Sequence, residues 1–84
     1  MRLLWAETAW EDYLYWQATD KKALKRINLL ITDIKQNPFS GLGDPQPLRQ
    51  NWTGYWSRRI DREHRIVYKA TDDGDFIAQC RYQY

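Results

Sequence analysis

The chain is poor in the residues from which several common kinds of function are built. Its one cysteine, Cys80, can form no internal disulfide, and reads as a small buried apolar residue of a protein kept in a reducing compartment. Its one histidine, His64, sits beside a turn with no cysteine or histidine cluster around it, which argues for a structural role and against a metal site. All three prolines and two of the four glycines fall within residues 38–47, so no second proline- or glycine-rich stretch is left to serve as a linker. No apolar run approaches the length needed to cross a bilayer, and MRLLWAET is too weakly apolar for a signal peptide, so a soluble, cytoplasmic protein is expected. With 84 residues, one domain over 1–84 with one modest core is expected.

What the chain does have is aromatic residues and arginine. Five Trp and six Tyr accompany a formal charge of only +2, so an anionic partner must be argued from where the charge sits. Six of the eight arginines lie from Arg49 onward, and between Arg49 and Lys69 six basic residues face two acidic ones. The acids gather elsewhere, at Glu7, Glu11 and Asp12 and at Asp72, Asp73 and Asp75. In WSRRIDREHRIVY and the terminal CRYQY, arginines are set among aromatics. Guanidinium groups clamp phosphate oxygens and aromatic faces stack unpaired bases, so RNA is the first partner to consider.

Leu3–Trp5 reads as a short first strand. Thr8-Ala9-Trp10-Glu11 has the form of a capping box and predicts a helix over residues 8–17. In that helix Trp10, Tyr13 and Leu14 share a stripe while Tyr15 and Trp16 turn to other faces, so its aromatics are expected to serve a core on more than one side. Asp20 caps a second helix whose Leu24, Ile27, Leu30, Ile31 and Ile34 recur at spacings of three and four, and which ends at Asn37 before Pro38. Lys21, Lys22, Lys25, Arg26 and Lys35 form its solvated sides. Residues 38–47, PFSGLGDPQP, read as a stiff ordered loop.

Three antiparallel strands follow, over residues 55–60, 64–70 and 76–82, joined at Asp61-Arg62-Glu63 and Asp72-Asp73-Gly74. Alternation sends Ile66, Tyr68 and Ala70 towards the helices and Arg65, Val67 and Lys69 away. It likewise sends Phe76, Ala78, Cys80 and Tyr82 inward and Ile77, Gln79, Arg81 and Gln83 outward. Arg65, Arg81 and Gln83 would then share an open face with one of Arg58 and Arg59, and alternation leaves open which. Asp72, Asp73 and Asp75 fit a hairpin turn better than a cation site, and Ser57 lacks the surroundings of a nucleophile elbow.

WEDYLYWQ, a helix ending in NPF, GLG with its following prolines, WSRRI, EHRIVY and the closing RY.Y pattern run nearly end to end without gaps. In these the chain resembles the YoeB/Txe toxins, the RelE-like ribonuclease half of a toxin–antitoxin pair. The resemblance implies an α+β, RelE-like fold with two N-terminal helices packed on one face of a small antiparallel sheet. It implies an endoribonuclease, an mRNA interferase that enters the ribosomal A site, cuts the mRNA and inhibits translation. The family chemistry uses no metal or other cofactor: a base takes the ribose 2′-hydroxyl proton, the oxygen attacks phosphorus, and an acid protonates the leaving 5′-oxygen. Partners so implied are mRNA in the A site, the ribosome and a Phd/YefM-type antitoxin whose C-terminal segment covers or distorts the site, while the sequence leaves open whether a second copy joins in a homodimer. No membrane is among them.

Carried over residue by residue, Arg65 in EHR matches the arginine that stabilises the phosphorane, and Tyr84 the terminal tyrosine that shapes the site. Arg59 matches a further arginine, Arg49 stands where a lysine is usual, and Arg81 joins them as an RNA-binding candidate. The match breaks where protons move. Gln46, between Pro45 and Pro47, replaces the glutamate that serves as base, and Gln83 replaces the histidine that serves as acid. Neither glutamine titrates, and such terms are each worth about 10²- to 10⁴-fold without multiplying. Cleavage is therefore expected to fall by several orders of magnitude while binding is kept, with a residue left by the charge of Arg65. Two origins fit: a shape-conserving replacement that silences a lethal toxin, or a natural sequence that has become a decoy or moves protons through Asp44 or Tyr84. The second functional class is accordingly a module that occupies the ribosome or the antitoxin without cutting.

Overall fold

The computed structural model describes residues 2–82. Its second helix, α2 (Lys21–Gln36), forms as its sequence dictates. The Asp20 carboxylate accepts from the backbone amides of Lys22 and Ala23 at 3.1 Å each, a cap worth about 1 kcal/mol over alanine. Ala23, Ile27, Leu30, Ile31 and Ile34 are buried in one stripe, and Asn37 closes the helix by donating to the Asp33 carbonyl. Leu24 is half-buried at the margin of that stripe.

The first helix, α1 (Glu7–Thr19), departs from its expected start. Ala6 is the N-cap and no side chain caps it. Thr8 is already inside the helix, and its hydroxyl donates 3.4 Å to the Ala78 carbonyl, so the capping box is not made. A tertiary contact sets the start instead: β1 (Leu3–Trp5) runs straight into the helix, and the Ala6 amide donates to the Ile77 carbonyl at 2.9 Å. Ala9 and Trp16 enter the core, whereas Trp10, Leu14 and Tyr15 remain exposed. Its aromatic density therefore serves the core only in part.

The remaining strands are β2 (Gln46–Pro47), β3 (Trp56–Arg59), β4 (Arg65–Thr71) and β5 (Gly74–Gln79), in the order β1-β5-β4-β3-β2. The β2–β5 run is antiparallel, and β1 adds to β5 in parallel, which makes the five-stranded sheet mixed. Both helices cover one face, where Trp16, Ile27, Leu30, Ile34, Ile66, Tyr68, Ile77 and Cys80 form a continuous core.

In β5 the alternation is opposite to the one expected. Ile77 is wholly buried in the helix-side core and Phe76 is not, because the turn pairs Ile77 with inward-facing Tyr68 and Phe76 with outward-facing Lys69, and a β-bulge then interrupts the β4–β5 ladder between Val67 and Tyr68. Val67 pairs with Gln79 while Tyr68 pairs with Ile77, leaving Ala78 as the extra residue. One added residue flips the phase, so Ile77 and Cys80 both point inward although three positions separate them. Tyr82, also expected inward, is 59% exposed.

Candidate functional site

The register of the sheet collects the family-matched positions on the face turned from the helices. Gln46 pairs with Ser57, Ser57 with Val67, and Arg59 with Arg65, and directly opposed residues share a face. Gln46, Ser57, Arg59 and Arg65 thus form a compact group at the β2–β3–β4 end. The two-residue strand β2 that places Gln46 there had read as loop, since a ladder of two residues leaves no periodic pattern.

Arg65 is the best-positioned of the group. It is half-buried, and its Nε donates 3.0 Å to Ser57 Oγ, the diagonal neighbour across the ladder. Ser57 is wholly buried, so this bond fixes the plane of the guanidinium. Nη2 is buried and has no partner among the described residues. A buried donor of a charged group normally has an acceptor, and an anion on this face would supply one. The sequence carried no motif that marked Ser57 as the orienting group; the diagonal spacing of the hairpin was the only available signal.

Alternation had left Arg58 and Arg59 undecided, and the fold separates them. Arg59 is exposed on the Arg65 face, while Arg58 lies on the helix side with no exposed surface. Gln46 is exposed, and its Nε2 donates 3.0 Å to Asp44 Oδ1. Arg49 is exposed at the start of a 3-10 turn (Gln50–Trp52), with no side-chain bond among the described residues. This face is less open than the sequence implied. Ser57 and Val67 are both fully buried, Leu48 is buried outside the helix-side core, and Lys69 Nζ lies 5.4 Å over the Tyr55 ring. Arg65 therefore sits in a recess rather than on a flat sheet.

Arg81 is not with Arg65. Its Cζ stacks 3.5 Å over the ring of Tyr15 on α1, so it belongs to the helix layer, contrary to the face that alternation assigned it. The cause is again the end of β5, where Cys80 turns inward. The Cys80 amide donates to Asp12 and its carbonyl accepts from Trp16 Nε1, and both bonds draw the chain towards α1. Burial pushes the Cys80 thiol up to about 12, leaving an inert packing residue.

His64 is structural, as expected. Its Nδ1 accepts from the Tyr82 amide at 2.7 Å and its ring meets Trp16 edge-on at 4.8 Å. The Arg65 amide in turn donates 3.0 Å to the Tyr82 carbonyl. The backbone of Tyr82 is thereby tied to the first residues of β4. Gln83 and Tyr84, the other two positions matched to the family's chemistry, lie outside the described residues. Asp75 is buried on the core face while Asp72 and Asp73 are exposed in the turn, so the three do not converge. Among the described residues no helix is long and apolar enough to cross a membrane.

Comparison with known proteins supplies the family and agrees with the fold. The family described as "YoeB-like toxin of bacterial type II toxin-antitoxin system" matches residues 5–84. Toxin YoeB of Escherichia coli K12 is 57% identical over 84 residues, covering all of both chains. Among solved structures, a YoeB/ParE toxin from Agrobacterium tumefaciens superposes with a TM-score of 0.97 at 46% identity over the whole of both chains. The YoeB of a YoeB–YefM complex from Staphylococcus aureus does so at 0.92 and 44%, covering 100% of this chain and 98% of that one. Family match, full-length identity and superposition agree, and the chain belongs to the YoeB-like toxins of bacterial type II toxin–antitoxin systems.

Proposed function

We propose that this chain is an RNA-directed toxin of the mRNA interferase kind, which holds an mRNA strand in the recess around Arg65 and cleaves it weakly. The observation that carries this reading is the state of Arg65. Its guanidinium is oriented by Ser57 and keeps one buried donor unpartnered among the described residues, on the same face as Gln46 and opposite Arg59. Preorganised positive charge of this kind stabilises a phosphorane, whose charge grows during attack by the 2′-hydroxyl. Arg59 and Arg49 extend the basic surface along the strand's path, and Arg81 offers a cation stacked on an aromatic ring at the helix layer.

The proton transfers limit the rate. Gln46 offers an amide where the family's base would be, and Gln83 another where its acid would be, so neither proton is moved by a titrating group at those positions. The Asp44 carboxylate, in contact with the Gln46 amide, is the nearest substitute acceptor on the loop. The cellular setting that follows is cytoplasmic, with the ribosome presenting the mRNA, Tyr84 in the role of the family's terminal tyrosine and an antitoxin covering the arginines. Complexes of a YoeB with a YefM and a YoeB dimer are known from Staphylococcus aureus, and both kinds of assembly are proposed for this chain.

A ribosome-dependent cleavage assay mapped by primer extension, run on this chain beside the Gln46→Glu/Gln83→His double change, tests the reading. Cuts that rise sharply with the restored pair establish a nuclease with impaired proton transfer. Equal cutting by both, abolished by Asp44→Asn, assigns the base to Asp44. No cutting by either leaves the non-cleaving module, which the two non-titrating side chains favour.

A further inference from the structure

We propose that Arg58 is a positioning residue: a buried clasp that sets residues 44–46 against Arg65. Arg58 has no exposed surface, yet all three guanidinium nitrogens are bonded. Its Nη1 donates to Asp33 Oδ2 and the Leu42 carbonyl, Nη2 to the carbonyls of Asn37 and Ser40, and Nε to Tyr68 Oη at 3.0 Å. The Tyr68 hydroxyl in turn donates to the Pro38 carbonyl at 2.6 Å, and the Leu42 amide donates to Asp33 at 2.9 Å. One cation thus gathers the carbonyls of a loop that has no ladder of its own.

The clasp reaches the recess through two short stretches of backbone, hydrogen-bonded to each other. At the loop's end the Gly43 carbonyl accepts from the Arg59 amide at 2.7 Å. Asp44 follows in the left-handed region, at φ 54°, and Gln46 then pairs with Ser57. Ser57, Arg58 and Arg59 are consecutive, so one turnless stretch of β3 holds the loop from beneath through Arg58 and orients Arg65 from above through Ser57. Lysine cannot replace this arginine, since an ammonium with three donors on one nitrogen cannot serve five acceptors spread around a guanidinium. The catalytic consequence rests on the function proposed above; the geometric claim does not.

Arg58→Lys tests it, with Leu3→Ala as a control that loosens the core at the opposite edge of the sheet. In the chain as it stands, the Leu42 and Arg59 amides should exchange hydrogen about tenfold faster in Arg58→Lys, and the cross-strand nuclear Overhauser contact between Gln46 and Ser57 should be lost. Leu3→Ala should lower the melting temperature and change neither. Unaltered exchange and a persistent Gln46–Ser57 contact in Arg58→Lys would overturn the proposal. With Gln46→Glu/Gln83→His restored, adding Arg58→Lys should lower kcat about tenfold or more and leave KM for mRNA-loaded ribosomes within about twofold, because misplacement costs the reaction rather than the binding. A displaced loop with full kcat would also overturn it. If the restored parent does not cleave, the nuclease reading fails and the exchange and contact measurements alone decide the clasp.

Discussion

The same cluster gives the sharpest stability prediction. Replacing Arg58 with methionine removes the partner of Asp33, whose side chain keeps only 22% of its surface exposed, and strips the donors from three loop carbonyls and Tyr68. Breaking a buried pair from one side costs roughly 3–5 kcal/mol. A chain of 84 residues has roughly 4–13 kcal/mol in total, so the variant should lie near the edge of folding. With an unfolding entropy of about 2.1 cal/mol/K per residue, the loss corresponds to a melting point roughly 17–28 °C lower. Asp33→Asn keeps an acceptor for the Leu42 amide but leaves the buried cation uncompensated, and the two changes together should cost about 1–3 kcal/mol less than their sum.

Urea melts of the two single variants and the double variant measure this directly. Asp33 also fixes the pH dependence. The Leu42 amide, and then the Arg58 guanidinium, hold its carboxyl below the usual range. A depressed carboxyl contributes stability that is complete above its unfolded pKa and disappears as the pH falls through the lower folded value. The gap between parent and Arg58→Met should therefore shrink in acid. A loss below about 1 kcal/mol at neutral pH, or strictly additive single changes, would refute the role given to the cluster.

Gly43→Ala should destabilise by roughly 1–3 kcal/mol, because its φ of +81° disfavours a side chain and an added Cβ would sit 2.8 Å from Leu30 Cδ2; an unchanged urea midpoint would contradict the packing described. Asp75 is buried and its carboxyl is raised by desolvation, so its ionisation opposes folding and stability is gained as the pH falls through the raised value. Asp75→Asn should accordingly exceed the parent in melting temperature at neutral pH and lose that advantage in acid, whereas parallel profiles would exclude Asp75 as the source. Arg65→Lys should weaken binding of a short single-stranded RNA about tenfold, or ~1.4 kcal/mol, in fluorescence anisotropy, because lysine keeps the charge and loses the fork held by Ser57; full affinity would leave only the charge at work. Residues fused after Tyr84 should impair cleavage by the restored Gln46→Glu/Gln83→His chain, and undiminished cutting would place the chain end outside the site.

How far this site could be read from the sequence depends on which residues obey a pattern. The capped α2 stripe and the β3–β4 hairpin follow apolar periodicity and turn chemistry, and they bring Arg65 and one of the paired arginines of β3 to one face without deciding which. Thr8 misled because a tertiary bond replaced the local rule, and β5 because the register of its turn sets Ile77 opposite Tyr68 and a bulge follows. Arg58 is the deeper case, since an interior arginine leaves no trace in a pattern of apolar residues. Two facts of the fold account for it together. Trp56, two residues earlier, packs on the core, so strand alternation sends Arg58 inward with it and leaves Arg59 outside. And residues 37–43 contain too little regular structure to satisfy their own carbonyls, which must find donors wherever they are shielded from water. A side chain with five donors on the inward face of the neighbouring strand meets that need, so the run WSRR encodes two separate tasks: its first arginine holds the loop, and its second faces the recess beside Arg65.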